Sequence, residues 1–127
     1  MSSVVLDSSA LLAYLNAEPG ADLVEPLLGN AKISTVNVAE VVGRLVAQNG
    51  SVTAIREMLD ILALDMVDFD RDLAERAGEL INRTRKQGLS LGDRACLALA
   101  ARENLPAISA DRAWAKLGIG VEIKLIR

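Results

Sequence analysis

Val4-Val5-Leu6-Asp7-Ser8-Ser9-Ala10-Leu11-Leu12 joins two apolar runs through one carboxylate and two hydroxyls. Val4, Val5 and Leu6 are apolar at successive positions, so a strand here is covered on both faces, as at the centre of a parallel sheet. Ser8 to Asn16 reads as a helix with Leu11, Leu12 and Leu15 on its apolar side. Asp7 then stands at the carboxyl end of a central strand, the edge at which open α/β sheets bind ligands. Aspartate is also a favoured helix N-cap. Asp7 alone fits either role, and the rest of the chain decides by whether it brings further carboxylates to the same edge.

Outward from this stretch, strand and helix patterns alternate to the end of the chain. Ala21 to Leu28 reads as a short helix stopped by Gly29-Asn30, and Lys32-Ile33-Ser34-Thr35 as a second strand. Helices follow over Val36 to Gln48 and Val52 to Leu64, the latter with Ile55, Met58, Leu59 and Leu62 on one face. Met66-Val67-Asp68-Phe69 reads as a third strand, and Arg71 to Lys86 as a charged helix closed by Gly88. Leu91 to Glu103 is an Ala- and Leu-rich helix, Pro106 to Ser109 a fourth strand, and Arg112 to Leu117 a short helix. Val121 to Leu125 alternates with Glu122 and Lys124, as an edge strand does. The order is that of a three-layer α/β domain with parallel crossovers, expected here as one domain over residues 1–127.

Composition narrows the chemistry. Hydrophobic residues make up 51% of the chain but aromatics only 2%, so the core is built of Leu, Val, Ile and Ala. Histidine is absent, which removes Ser-His-Asp and Cys-His catalysis and any His-ligated zinc. The one cysteine, Cys96, lies in an apolar run and reads as an inert core thiol, consistent with a reducing cytoplasm. No secretory signal and no membrane span are expected. The formal net charge is -3, so nucleic acid could be held only through a local basic patch or a metal.

Three more carboxylates stand where Asp7 does. Glu40 follows the second strand, Asp111 follows the fourth, and Asp93 opens the helix that leads into the fourth. Each has an ordinary reading as a helix cap: Asn37 with Glu40 and Ser90 with Asp93 both have capping-box spacing, and Asp111 has that of an N-cap. Taken together, a parallel sheet puts all four at one edge. Two unit charges ~5 Å apart repel by roughly 3 kcal/mol at an effective dielectric of ~20. Such a cluster calls for a cation or shared protons, and oxygen-only ligands point to Mg²⁺ or Mn²⁺ rather than zinc. Glu57, Asp60, Asp72, Glu75 and Glu79 fall among Arg and Lys on helices and read as solvated surface. Asp68 and Asp70, near the end of the third strand, read as structural.

The stretches around Asp7, Val36-Asn37-Val38-Ala39-Glu40-Val41, Leu89-Ser90-Leu91-Gly92-Asp93-Arg94-Ala95 and Ala110-Asp111-Arg112-Ala113-Trp114 resemble the four acidic motifs of PIN-domain ribonucleases. Within that superfamily they are most similar to the VapC toxins of prokaryotic toxin–antitoxin pairs. The resemblance implies a parallel five-strand sheet in the order 3-2-1-4-5. It implies that Asp7, Glu40, Asp93 and Asp111 bind Mg²⁺, with Mn²⁺ able to substitute, and that Ser9 and Asn37 support them. It implies in-line hydrolysis of RNA by a metal-activated water, leaving a 5′-phosphate and a 3′-hydroxyl. Arg94, Arg112 and Lys116 are then candidate RNA contacts, with Arg83, Arg85 and Lys86 as further basic residues. The implied partners are a VapB-like antitoxin, RNA, and a second copy of the chain in a homodimer or toxin–antitoxin hetero-oligomer. The antitoxin is expected to lie over Leu11 to Leu28 and Val38 to Val46, projecting an arginine or lysine towards the four acids.

Other functions fit less well. A phosphoryl-accepting receiver domain needs an acidic pair after the first strand, and Asp7 has no acidic neighbour. An Asp-x-Ser-x-Ser adhesion site fails at Leu11. An RNA-processing PIN nuclease that is not a toxin, and a PIN fold kept only for binding, stay open.

Overall fold

The computed structural model describes residues 3–127. Its first strand, β1 (Val4–Leu6), is buried at all three positions. Val4 and Leu6 face one core and Val5 the other, so both faces of β1 are covered as its unbroken apolar run requires. Asp7 ends the strand and caps α1 (Ser8–Leu15), with no loop between them.

A short α2 (Ala21–Val24) passes into a 3₁₀ turn over Glu25–Asn30 instead of continuing to Leu28. Pro26 causes the change, because it has no N–H and its ring crowds the preceding turn of an α-helix. The chain then forms β2 (Ala31–Ser34), α3 (Thr35–Ala47), α4 (Val52–Leu62) and β3 (Asp65–Val67). The third strand starts one residue earlier than expected and stops two earlier. Asp65 pairs in register with Lys32, while the Phe69 N–H leaves the ladder and donates to Thr35 Oγ1 at 3.1 Å.

The next segment is a helical hairpin. α5 (Arg71–Arg83) is followed by a 3₁₀ turn over Arg85–Gln87 and by α6 (Leu91–Glu103). The expected single helix to Lys86 divides at Thr84, whose hydroxyl donates back to Leu80 O at 2.8 Å. β4 (Ala107–Ser109), a 3₁₀ turn over Arg112–Lys116 and β5 (Ile123–Leu125) complete the fold. Asp70, read as structural, caps α5 and pairs with Arg102.

All strand pairs are parallel, in the order β3-β2-β1-β4-β5 that the resemblance implied. From β1 the chain moves first to one side and later returns to the other, so the switch point lies between β1 and β4. One core joins β1, β2 and helices α1 to α4 through Leu6, Leu11, Ile33, Val41 and Leu59. The other joins β1 and β4 to α5 and α6 through Val5, Leu73, Leu97 and Trp114. Cys96 is fully buried in this second core, and burial pushes its thiol pKa well up, as befits a packing residue.

The helices expected to receive a partner divide into two kinds. Leu11, Leu12, Val24 and Leu28 are buried in the first core, which leaves Leu23 as the exposed large apolar side chain of the stretch Leu11 to Leu28. Val38 and Val42 instead line an open apolar cleft of about 250 Å³, walled by Val52, Ile55 and Leu59 of α4 and by Met66. Among the described residues no helix is long and apolar enough to cross a membrane.

Candidate active site

Asp7 is the deepest of the four acids, only 3% exposed. Its Oδ1 accepts from the Ala10 N–H at 2.8 Å, which makes it the cap of α1. That cap uses part of the carboxylate only. Oδ2 accepts from Ser109 Oγ at 2.6 Å, and Ser9 Oγ reaches Oδ1 at 2.7 Å and Oδ2 at 2.9 Å. Ser9 in turn accepts from the Ala110 N–H at 2.9 Å, so it ties the end of β1 to the end of β4. Burial raises the Asp7 pKa to about 6, against the hydrogen bonds from Ser109, Ala10 and Ser9, with the charge of Asp93 adding to the rise.

Glu40 is held differently from the cap its spacing suggested. β2 runs straight into α3, and Ser34 is the cap, its Oγ accepting from the Val36 N–H at 3.2 Å. Asn37 therefore lies inside the helix, 1% exposed, and Glu40 stands one turn further along. The Asn37 amide donates to Glu40 Oε1 at 2.8 Å and to the Gly92 carbonyl at 3.1 Å. Both partners are acceptors, which fixes the amide's orientation. Its Oδ1 is then buried with no partner among the described residues. The Glu40 carboxylate lies against the first turn of α6, where a Cβ on Gly92 would come within 2.4 Å of it. Only glycine leaves room there, and the positive end of α6 favours the carboxylate.

Asp93 forms the capping box that its spacing predicts: the Asp93 N–H donates to Ser90 Oγ at 3.1 Å, and Asp93 Oδ2 accepts from the Ser90 N–H at 3.0 Å. Burial raises its pKa against those hydrogen bonds, and the charges of Asp111 and Glu40 raise it further. Asp93 thus feels all three of the other acids. Asp111 is exposed, caps the following 3₁₀ turn by accepting from Ala113 N–H at 3.0 Å, and donates its own N–H to Ser109 Oγ at 3.0 Å.

Each acid is therefore near a helix or turn start, yet that role leaves most of its charge unspent. Among the described residues none of the four pairs with a lysine or arginine. The donor set fits a hard divalent cation: four carboxylates at one edge, without a basic partner, beside the orphaned Asn37 oxygen. As the side chains stand, no three acids among the described residues converge closely enough to enclose an ion by themselves.

The candidate RNA contacts and the further basic residues fall into three groups. Arg94 is half-buried and makes no ion pair among the described residues; its Nη1 donates to the Ala77 carbonyl at 2.9 Å and clips α6 to α5. Arg112 and Lys116 are exposed just beyond Asp111 and make no ion pair among the described residues. Arg83, Arg85 and Lys86 line a cleft at the turn of the α5–α6 hairpin that leads to Ser90, with Arg85 donating to Asn82.

Two residues of the site were not singled out in the sequence. Ser109 is buried and donates the shortest hydrogen bond to Asp7. A hydroxyl closing an otherwise apolar strand, two residues before Asp111, was the signal. Gly92 lies within the motif around Asp93, and nothing local in the sequence shows that Glu40 would lie over it.

A family model described as the PIN domain matches residues 4–120. No curated protein matches the sequence. Among solved structures the chain is similar to a toxin–antitoxin complex from Klebsiella pneumoniae, at 20% identity over 98% of each chain with a TM-score of 0.77. It is similar to the Sarcin-Ricin loop cleaving toxin VapC20 of Mycobacterium tuberculosis, at 19% identity over 94% of this chain and 99% of that one, with a TM-score of 0.77. It is also similar to DNA-bound VapBC from Salmonella typhimurium, at 16% identity over the whole of both chains with a TM-score of 0.74. At these identities the likeness to each structure is one of fold. With a family model spanning almost its full length, and the acid edge in the place that fold provides, the chain belongs to the PIN domain family, a family of nucleases.

Proposed function

We propose that this chain is a Mg²⁺-dependent endoribonuclease, a single PIN domain over residues 1–127, and the toxin of a toxin–antitoxin pair. The observation that carries this is the gathering of Asp7, Glu40, Asp93 and Asp111 at the switch-point edge with no basic side chain to neutralise them. Asp7, Glu40, Asp93 and Asp111 would hold Mg²⁺ or Mn²⁺. Such an ion, when bound, makes water a better nucleophile and offsets charge on the phosphate oxygens.

The chain's own residues prepare that site. Ser9 and Ser109 aim their hydroxyls at Asp7 and fix the plane of its carboxylate. Asn37 holds Glu40 against α6, and Ser90 fixes Asp93. These supports sit on short strands and helix starts, which keeps the acids in place before substrate arrives. Arg112 and Lys116 stand beside Asp111 as contacts for RNA phosphates.

The toxin role draws on the toxin–antitoxin complexes that share the fold. A free cytoplasmic nuclease needs restraint. The partner in this reading is an antitoxin segment lying in the apolar cleft between α3 and α4, with a basic side chain reaching the acids. Self-association into a homodimer belongs to the same reading. The test is induced expression of the chain in cells, with sequencing of RNA 5′ ends. New 5′-phosphate ends and growth arrest are expected from the natural chain and neither from Asp7→Asn. New ends without growth arrest would make it an RNA-processing nuclease instead of a toxin, and no new ends at all would refute the nuclease assignment.

A further inference from the structure

Glu40 and Arg44 stand four residues apart on α3, the spacing and order that ordinarily give an ion pair on a helix surface. They do not pair: Glu40 is drawn aside by Asn37 and the start of α6, and Arg44 meets no carboxylate among the described residues. Arg44 instead borders a cleft of about 190 Å³ with Ser8, Ser9, Leu12, Glu18 and Arg127. Arg127 is already committed, with Nη1 donating to Pro19 O at 2.9 Å and to Glu18 Oε1 at 3.3 Å. Arg44 is the uncommitted charge of the cleft, and the Ser8 hydroxyl, which has no hydrogen bond among the described residues, faces the same space.

The cleft adjoins the acid edge through Ser9, whose hydroxyl touches both Asp7 oxygens. Its lining holds two guanidiniums, two hydroxyls, the Glu18 carboxylate that Arg127 already meets, and Leu12 as its one apolar side chain, which leaves Arg44 as its net positive charge. No aromatic side chain lines it, so a base has nothing to stack on. The occupant it suits is a phosphate, which accepts from a guanidinium and a hydroxyl together.

We propose that the Arg44–Ser8 cleft is a subsite for a backbone phosphate next to the one cleaved, so that Arg44 is an RNA-positioning residue. The assignment rests on the nuclease reading above. Arg44 is four residues, about 6 Å of helix rise, beyond Glu40 along α3, which sets the subsite beside the acids without overlapping them. It also answers an electrostatic need: the acid edge repels an incoming phosphodiester, and a cation at its border offsets that repulsion.

The test compares the natural chain, Arg44→Ala, Arg44→Lys and, as a charge-matched control remote from the acids, Arg71→Ala. Cleavage of a fluorescent single-stranded RNA in Mg²⁺ gives KM and kcat, and anisotropy in EDTA over a range of KCl gives the salt dependence of binding. Arg44→Ala is expected to raise KM about tenfold with kcat within about twofold, and to reduce the slope of log K against log salt by about 0.7, one phosphate contact to a single strand. Arg44→Lys should recover the slope while leaving KM intermediate, and Arg71→Ala should change neither. Unchanged KM and slope in Arg44→Ala, in a chain that cleaves RNA, would overturn the subsite and leave the nuclease reading intact. A natural chain that neither binds nor cleaves RNA would overturn both.

Discussion

On the outer face of α5, Arg71 meets Glu75 at 3.1 Å and Arg76 meets Asp72 at 3.0 Å. Arg102 reaches across from α6 to Asp70 at 3.1 Å and Asp72 at 3.4 Å. At the carboxyl edge of the sheet, Glu40 and Arg44 have the same spacing as those helix pairs and stay apart, and the other three acids have no basic partner among the described residues. One region spends its charges on itself, in solvent, where such pairs stabilise little. The other leaves them unpaired, and there burial first, with the neighbouring charge of Asp93 adding to it, lifts the Asp7 pKa to about 6. Other acids without a basic partner, such as Glu57 and Asp60, are exposed, whereas Asp7 and Asp93 are unpaired and at least half-buried, at the one edge where the topology can use them.

The sharpest way to break this contrast is to neutralise Asp7. Asp7→Asn should lower cleavage by more than about 10²-fold, beyond the ~10–100-fold typical of losing an outer-shell partner, and excess EDTA should do the same to the natural chain. Cleavage assays of the folded variant check this, and retained activity in either case would place the chemistry elsewhere.

The second effect is on stability against pH. Asp7 binds its proton more tightly folded than unfolded, so between about pH 4 and 6 the folded state holds the extra proton. Stability of the metal-free protein therefore falls as pH rises through that window. A pKa displaced from 3.8 to about 6 corresponds to ~3 kcal/mol at 1.36 kcal/mol per unit. Asp93, also raised, acts in the same direction. Denaturant titrations from pH 4 to 8 should show the fall, and Asp7→Asn should flatten it and be the more stable protein at pH 7. A natural chain that gains stability over this range would contradict a crowded, buried carboxylate.

A smaller effect is expected at Ser109. Ser109→Ala removes one donor to Asp7 and leaves the acid in place, so cleavage should fall about 10–100-fold with the fold retained. An unchanged kcat would reduce Ser109 to a packing residue. Smallest of all, Arg76→Ala on α5 should cost at most about 0.5 kcal/mol, because the pair is half exposed and solvent screens it. A larger loss would show that the paired region is not the neutral surface described above.

How far the sequence could be read follows from what each signal depends on. β1 and Asp7 were legible because an apolar run breaks off at a carboxylate. The bounds of α6 were read without error because the Ser90–Asp93 box opens it and Asn104, in the left-handed region, closes it. Glu40 was placed at this edge because it follows the second strand; the competing reading, with Asn37 as cap, requires a loop before the helix, and β2 runs directly into α3 with Ser34 as its cap. Arg94 read as a surface cation because its partner is a backbone carbonyl 17 residues away. Gly92 stayed silent for the same reason, and Ser109 showed only as a hydroxyl closing an apolar strand, since both act on side chains that only the fold brings near.

The central claim is that the unpaired acids form one divalent-metal site. The most direct measurement is thermal melting with increasing Mn²⁺, on the natural chain and on a Glu40→Gln, Asp93→Asn double variant. An ion that binds only the folded state adds ~2.7 kcal/mol at a hundredfold excess over Kd. The natural chain should therefore melt several degrees higher with Mn²⁺, and the double variant should move far less. Equal shifts in the two proteins, or no shift in the natural chain, would contradict a metal site at this edge and return Glu40 and Asp93 to the ordinary work of helix starts.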